Sequence, residues 1–228
     1  MPGIRLENVA KIYKNSRRGV SETLEVDLAF RQGEFVFVTG GRGAGKTTLA
    51  ELITGELEPD RGSVWLGGGD LTHMRRSEAE DLRSCIAAVP QDSELRRTET
   101  VFKNLASERR LEYLRDKLFH TPKIEKALAL VGMAGSGHRY PPELSASECR
   151  RVELARAIWR SPSILVLDGL LERTDDDTAW DVLHLLAALN ARGTTVIVTT
   201  EGSYGSILGK RVVALREGKV ESDSYQRG

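Results

Sequence analysis

The 228-residue chain lacks the features that mark secreted and membrane-embedded proteins. Its two cysteines, Cys85 and Cys149, form no C-x-x-C pair, so the sequence favours neither a disulfide framework nor a zinc site. No stretch approaches the roughly 20 apolar residues of a membrane-spanning helix, and the first residues lack the apolar segment of a signal peptide. We therefore expect a cytoplasmic protein with reduced thiols, for which any role at a membrane depends on a partner.

The chain also has no excess of charge of either sign. Lys and Arg together number 33, as do Asp and Glu, so nothing in the charge balance indicates a nucleic-acid partner. Acids are interleaved with the paired basic residues, such as Arg150 and Arg151, and we interpret most of these pairs as solvated helix faces. The apolar fraction of 40% and the charged fraction of 29% are ordinary for a globular protein with a sizeable core.

The most informative stretch is a glycine-rich loop that fits the phosphate-binding motif G-x-x-x-x-G-K-[ST]. Glycines allow successive backbone N–H groups to turn towards phosphates without Cβ clashes. A lysine supplies positive charge, and the hydroxyl of the next residue can ligate Mg²⁺. The sequence therefore predicts a phosphate-binding loop made of Gly40, Gly41, Arg42, Gly43, Ala44, Gly45, Lys46, Thr47 and Thr48.

The flanks of this loop have the pattern that the motif requires. The apolar run 34–39 predicts a buried strand, and 48–53 has helical spacing. The N-terminus of a helix adds its dipole to the attraction of backbone N–H groups for anions. A second apolar run, Ile164–Asp168, predicts a parallel strand ending in a carboxylate, which makes Asp168 a candidate Mg²⁺ ligand.

Elsewhere, hydrophobic periodicity separates strand-rich from helix-rich parts. Residues 3–38 alternate in the manner of antiparallel strands, whereas 72–84 and 98–160 have mainly helical spacing. Later patterns predict a helix at 178–191, a buried strand at 194–199 and a hairpin at 211–221.

These patterns predict an α/β fold with one domain over 1–228. We expect residues 1–81 and 161–228 to form the core with a β subdomain, and 82–160 to form an inserted helical subdomain.

The order of the pieces resembles the nucleotide-binding subunits of ABC transporters. Tyr13 lies where that family places an aromatic side chain that stacks on adenine, and Gln91 lies in its glutamine loop. Residues 144–157 resemble the signature segment and its helix, which includes Ser145, and Asp175 falls near the loop that crosses the dimer interface.

The resemblance implies a P-loop NTPase core of the ABC type, with an antiparallel β subdomain and a helical subdomain. It implies ATP and Mg²⁺ as cofactors, with Tyr13, the loop 40–48, Gln91 and Ser145 contacting nucleotide. The implied Mg²⁺ ligands are Thr47, Gln91 and Asp168. It also implies a second ABC subunit, in a homodimer or heterodimer, and docking on a membrane protein through the groove beside Gln91.

Within the family, the segments 33–40, 189–195 and 215–223 look most similar to the cell-division subunits called FtsE. That similarity implies an integral membrane partner of the FtsX type, a position on the inner face of the cell membrane, and a role in cell division. The related lipoprotein-release and macrolide-export subunits remain alternatives.

Several positions depart from the family pattern. The glutamate that polarises the attacking water is replaced by Gly169, and the histidine that contacts the γ-phosphate is replaced by Glu201. Ala146 and Ser147 stand where the signature has glycines, and their Cβ atoms crowd the approach to nucleotide on the opposite subunit.

The residues for binding nucleotide and Mg²⁺ remain, whereas those for hydrolysis are replaced. Loss of a general base typically costs about 10²–10⁴-fold in rate, so we expect weak or absent hydrolysis. Two alternatives stay open. Glu172 or Glu201, or an intact second subunit, restores turnover; or the chain is a non-catalytic scaffold that barely uses nucleotide.

Overall fold

The computed structural model describes residues 3–14, 21–92, 95–106, 117–173 and 175–224, which form a ten-stranded mixed sheet with helices on both faces. The strands are β1 (Ile4–Lys14), β2 (Ser21–Phe30), β3 (Phe35–Thr39), β4 (Arg61–Leu66), β5 (Gly69–Asp70), β6 (Ile86–Val89), β7 (Ile164–Asp168), β8 (Thr195–Thr200), β9 (Arg211–Arg216) and β10 (Lys219–Asp223). The helices are α1 (Lys46–Thr54), α2 (Arg76–Arg83), α3 (Val101–Ala106), α4 (Lys117–Leu130), α5 (Ala146–Ile158), α6 (Asp176–Asn190) and α7 (Tyr204–Ile207).

Five neighbouring strands, in the order β9-β3-β8-β7-β6, run parallel. All five residues of β7 and all six of β8 are buried, because helices cover both faces of this half of the sheet. Continuous apolar runs are typical of such strands. The sequence predictions at Ile164–Asp168 and 194–199 are therefore confirmed.

The other half of the sheet is mainly antiparallel, with one parallel pairing between β2 and β10. Strand β1 pairs with β2 on one side and β4 on the other, and its buried Ile4 and Leu6 alternate with the exposed Arg5. The prediction of antiparallel pairing over 3–38 is wrong for its last part, since β3 pairs in parallel with β8 and β9. The physical reason is that β3 is apolar on both faces, which suits the buried half of the sheet.

The core lies in two layers, one on each face of the parallel strands. Phe35 and Phe37 of β3 point into a cluster with the helices α3, α4, α5 and α6. Val36 and Val38 point into a second cluster with α1 and the antiparallel strands. This alternation fixes β3 between the two layers, so the loop that follows it begins at a rigid position.

Helices α3, α4 and α5 all fall within the range predicted as a helical subdomain, 82–160. Residues 107–116 of that range lie outside the described part of the chain. Strand β6 also falls within it, and it pairs with β7 in the parallel sheet. The subdomain boundary itself stays a prediction. Among the described residues, no helix is long and apolar enough to cross a membrane.

Candidate nucleotide-binding site

The glycine-rich loop connects β3 to the start of α1. Lys46, the first residue of α1, turns back over the loop, and its Nζ donates to the carbonyl oxygens of Gly40 at 2.5 Å and Gly41 at 3.0 Å. Gly45 caps the helix with φ 99°, a left-handed conformation that favours glycine. The loop therefore encloses a positive charge at the N-terminus of a helix, the arrangement that binds phosphate groups.

Two adjacent glycines of the loop differ sharply in their surroundings. A Cβ atom at Gly40 would lie 2.5 Å from the carbonyl oxygen of Leu215 and 2.8 Å from the Cβ of Ala44, whereas a Cβ at Gly41 would meet nothing within 4 Å. We expect Gly40→Ala to lower the free energy of unfolding by about 2 kcal/mol, since strands β3 and β9 must separate. Gly41→Ala should change it by less than about 0.5 kcal/mol. Urea denaturation of both variants without nucleotide checks the prediction, and equal losses would contradict it.

A cavity of about 800 Å³ opens over the loop, within the range that suits a nucleotide-sized ligand. It brings together residues that are widely separated in sequence. The predicted site residues on its wall are Tyr13, Arg42, Gly43, Ala44, Gly45, Lys46, Thr47, Thr48, Gln91, Asp168, Glu172 and Glu201. Gly40, Gly41 and Ser145 are not among its lining residues.

Tyr13 lies at the edge of this cavity, near the end of β1. The residue is 40% exposed, and its hydroxyl lies 3.3 Å from Thr48 Oγ1 at the start of α1. This contact holds an exposed aromatic face beside the phosphate loop, where a base could stack on it. Stacking on adenine stays a prediction.

Three oxygen-bearing side chains that line this cavity are the predicted Mg²⁺ ligands, those of Thr47, Gln91 and Asp168. Thr47 Oγ1 donates to Gln91 Oε1 at 3.4 Å, which joins α1 to the end of β6. Asp168, 6% exposed at the tip of β7, accepts a hydrogen bond from Thr199 Oγ1. Hydroxyl, amide and carboxylate oxygens are the ligands that Mg²⁺ prefers, so this donor set fits the predicted metal. Burial, and secondly the negative charge of Asp168, raise the pKa of the nearby Glu51 carboxyl.

Gly169, which replaces the family's glutamate, adopts φ +57° directly after β7. A Cβ there would lie 3.3 Å from Gln91 Cγ and 3.5 Å from Glu172 Oε2, so a side chain would be both strained and crowded. Glu172 Oε1 accepts a hydrogen bond from the backbone N–H of Glu201 at 2.7 Å. The structure thus brings the two predicted substitute acids together on the cavity wall, while position 169 itself offers no functional group.

The signature residues lie instead at the N-terminus of α5. The Ser145 hydroxyl accepts a hydrogen bond from the backbone N–H of Glu148 at 3.1 Å, and Glu148 Oε2 accepts one from the backbone N–H of Ser145 at 2.7 Å. The second of these bonds, followed by the hydrogen bond from the guanidinium of Arg139, holds the pKa of the Glu148 carboxyl below its usual range. Such a reciprocal capping box fixes where the helix begins.

The helix α5 is also tied to the start of α6. Ser147 Oγ lies 3.3 Å from Thr178 Oγ1, and Arg151 Nη2 donates to the same oxygen at 3.1 Å. Asp175 caps α6 by accepting from the Thr178 backbone N–H at 2.8 Å, and this bond lowers the pKa of its carboxyl. Ser147, one of the two residues at the predicted signature-glycine positions, therefore takes part in a polar contact with the helix that Asp175 caps.

Sequence reasoning missed two residues that organise the site. Arg150, one of the basic pairs that we interpreted mostly as solvated helix faces, is only 5% exposed. It donates to the carbonyl oxygens of Pro90 and Gln91 and to Glu153, and so ties α5 to the glutamine loop. The second missed residue is Thr199, whose hydroxyl donates to Asp168. A polar residue within the buried strand β8 was the signal that could have identified it.

A strand, a glycine loop, a helix N-terminus and a neighbouring strand that ends in Asp168 together define a P-loop nucleotide-binding domain. The family model described as ABC transporter matches residues 24–171, well over half of the chain. The chain belongs to the ABC transporter family, as a nucleotide-binding subunit that resembles FtsE.

The relatives support this assignment over nearly the full length. The cell division ATP-binding protein FtsE of Mycobacterium tuberculosis is 33% identical over 227 residues, covering 99% of this chain and 96% of that protein. FtsE of Streptococcus pneumoniae is 31% identical over 222 residues, covering 96% and 94%. The methionine import ATP-binding protein MetN 4 of Oceanobacillus iheyensis is 31% identical over 226 residues, covering 98% of this chain but 65% of that protein.

Solved structures agree with the fold. The dimeric structure of MJ0796, a bacterial ABC transporter cassette, matches with a TM-score of 0.87 at 27% identity, and the match covers 99% of both chains. A post-hydrolysis state of the same cassette, bound to ADP and Pi, matches with a TM-score of 0.84. The predicted fold class is confirmed, and the nucleotide-bound neighbour supports nucleotide binding by this fold.

Proposed function

We propose that the chain is the ATP-binding subunit of an FtsE/FtsX-like complex that acts in cell division. It binds Mg-ATP and signals to an integral membrane partner, with weak or absent hydrolysis. The observation that carries this proposal is that one cavity has side chains suited to binding nucleotide but lacks a side chain at the position expected to polarise water. Lys46, Thr47 and Asp168 line it with the chemistry for phosphate and Mg²⁺, while Gly169 supplies no group to polarise water.

In this proposal the phosphates rest on the loop at 40–48 and the adenine stacks on Tyr13. Thr47, Gln91 and Asp168 would hold Mg²⁺, which would neutralise phosphate charge when bound. A second subunit, identical or homologous, covers the nucleotide. The Cβ atoms at Ala146 and Ser147 limit how closely the signature of this chain approaches nucleotide on that subunit. The dimeric form of the MJ0796 cassette supports such an assembly.

The membrane partner docks beside the glutamine loop. A cavity of about 260 Å³ lies there, lined by α1 residues such as Ala50 and Thr54 and by Pro90 and Gln91 at the end of β6. Because Thr47, Gln91 and Asp168 line both cavities, and Thr47 donates to Gln91, occupancy of the nucleotide site is linked to the wall of the second cavity. The FtsE relatives support a partner of the FtsX type.

One observation favours a second candidate function, an active ATPase subunit. Glu172 and Glu201 both lie on the cavity wall, where a carboxylate could orient water. The MetN relative is consistent with a transporter subunit of this kind.

Calorimetry with Mg-ATP and steady-state phosphate release, measured on the same protein, test the proposal. We expect binding by the native chain and a loss of at least about tenfold in Lys46→Ala, since charge-assisted hydrogen bonds to phosphate are removed. Phosphate release should be the same in both. The matched control is Lys126→Ala, which removes an exposed lysine on α4; this variant should bind Mg-ATP as the native chain does.

Two outcomes would contradict the proposal. Phosphate release that depends on Lys46 and disappears in Glu201→Gln would establish the active ATPase instead. Absence of nucleotide binding by the native chain, together with partner binding that survives Lys46→Ala, would establish the scaffold.

A further inference from the structure

One contact in the cavity has no part in the proposed function. Lys46 Nζ lies 3.7 Å from Glu201 Oε1, within ion-pair distance. The Lys46 side chain is 12% exposed and that of Glu201 50% exposed, so the pair lies at the boundary between the cavity and solvent. The backbone of Glu201 is held by Glu172, which restricts where its carboxylate can lie.

The position of this carboxylate follows from the sheet. Strand β8 lies between β3 and β7, and Thr39 pairs with Thr200. The residue directly after β8 therefore emerges beside the first glycine of the phosphate loop. From there the Glu201 carboxylate reaches the Lys46 ammonium.

The charge of the whole cavity increases the effect of this contact. Its charged lining residues are two cations, Arg42 and Lys46, and four carboxylates, those of Asp168, Glu172, Glu201 and Glu217. A nucleoside triphosphate adds negative charge at its γ-phosphate, at the end of the ligand that the loop lysine binds. A diphosphate lacks the γ-phosphate. It therefore gains less attraction to Lys46 when it displaces Glu201, and the Glu201 carboxylate repels it less.

We propose that Glu201 is a specificity-determining residue, which lowers the preference of the site for a nucleoside triphosphate over a diphosphate. The γ-phosphate must compete with the Glu201 carboxylate for Lys46 and is repelled by it, whereas a diphosphate competes for Lys46 only through its β-phosphate. The chain then responds to the presence of nucleotide more than to the ratio of triphosphate to diphosphate. This inference rests on the proposed function, because it requires nucleotide to bind over the P-loop.

The test compares two affinities in each of four proteins. Calorimetry gives the Kd of Mg-ADP and that of the Mg complex of an ATP analogue with a non-hydrolysable β–γ bridge. The proteins are the native chain, Glu201→Gln, Glu201→Asp and Glu217→Gln. Glu201→Gln removes the charge and keeps the shape, Glu201→Asp keeps the charge, and Glu217→Gln removes another carboxylate from the same cavity wall.

We expect Glu201→Gln to raise the affinity for the ATP analogue relative to ADP by about tenfold, as removal of one charge beside a partly buried phosphate predicts. Glu201→Asp and Glu217→Gln should change the ratio by less than about threefold. The increase in Glu201→Gln should shrink as salt is added.

The outcomes separate this inference from the proposed function. If the native chain binds both nucleotides and Glu201→Gln leaves the ratio unchanged or shifts it towards ADP, the inference is wrong and the proposed function stands. A shift of equal size in Glu217→Gln would also overturn it, since general charge would then be the cause. If the native chain binds neither nucleotide, both are wrong.

Discussion

Replacing Arg150 with glutamine should lower the free energy of unfolding by about 3–5 kcal/mol, which is the usual cost of removing one member of a buried ion pair. Arg150 is 5% exposed and Glu153 is 1% exposed, and Arg150 Nη1 donates to Glu153 Oε2 at 2.7 Å. The other oxygen of Glu153 has no hydrogen-bond partner among the described residues. The variant would therefore leave a buried carboxylate without its counter-charge.

The same substitution should disturb the nucleotide site. Arg150 Nη1 also donates to the carbonyl oxygen of Pro90 at 3.2 Å, and Nη2 donates to that of Gln91. These bonds hold the loop that carries the Gln91 side chain towards Thr47. We therefore expect a lower affinity for Mg-nucleotide at temperatures where the variant is still folded.

Urea denaturation measures the effect, with two comparisons. Arg151→Gln removes the neighbouring arginine, whose side chain is 28% exposed, and should cost less than about 1 kcal/mol. The double variant Arg150→Gln/Glu153→Gln removes both charges and should recover more than half of the loss, because the carboxylate no longer needs a partner. A double variant no more stable than the single one would show that the ion pair is not the cause.

The sequence was sufficient to predict the elements that bind phosphate. The runs at β3 and β7 are apolar at every position but the last, and β8 carries Val196, Ile197 and Val198 in succession; strands covered on both faces bury such runs. A glycine motif between such a strand and a helix has few other interpretations. Local pattern and tertiary structure agree here, which is why the loop and Asp168 could be placed without coordinates.

The electrostatic partners could not be predicted. Arg150 and Arg151 are adjacent and chemically identical, yet one is buried against the glutamine loop and the other is partly exposed and contacts the buried Thr178. Only the packing of α5 decides between them, since residues one apart on a helix face different directions. The contact of Lys46 with Glu201 likewise depends on β8 lying next to β3, and the 154 residues between them in the sequence carry no pattern that predicts it.

Gly169 shows a third limit. The resemblance to the ABC family predicts that a glycine replaces the family's glutamate, but only the structure shows φ +57° and the closeness of Gln91. A glutamate placed at this position would need a different backbone, so in the proposed function both the loop and the side chain at 169 disfavour hydrolysis.

Gly218 is the second position at which a single substitution should have a large effect. The turn between β9 and β10 places Glu217 at φ 50° and Gly218 at φ 76°. The backbone N–H of Gly218 donates to the carbonyl oxygen of Ala44 at 3.2 Å, and its own carbonyl accepts from Glu25 at 2.7 Å. A Cβ on Gly218 would lie 2.0 Å from the carbonyl oxygen of Thr23. The turn thus joins the phosphate loop to β2 through a contact that only glycine permits.

We expect Gly218→Ala to lower the free energy of unfolding by about 3 kcal/mol. Part of this cost comes from holding alanine in a left-handed backbone conformation, and the rest comes from moving the turn away from β2. Because Thr23, Leu24 and Gly218 line the nucleotide cavity, the affinity for Mg-nucleotide should fall as well. Gly209→Ala is the matched control, since Gly209 has φ +60° but nothing lies within 4 Å of its Cβ position. It should cost only about 1 kcal/mol and leave nucleotide binding unchanged. Equal losses in the two variants would mean that backbone strain alone, and not the contact with β2, sets the requirement for glycine at position 218.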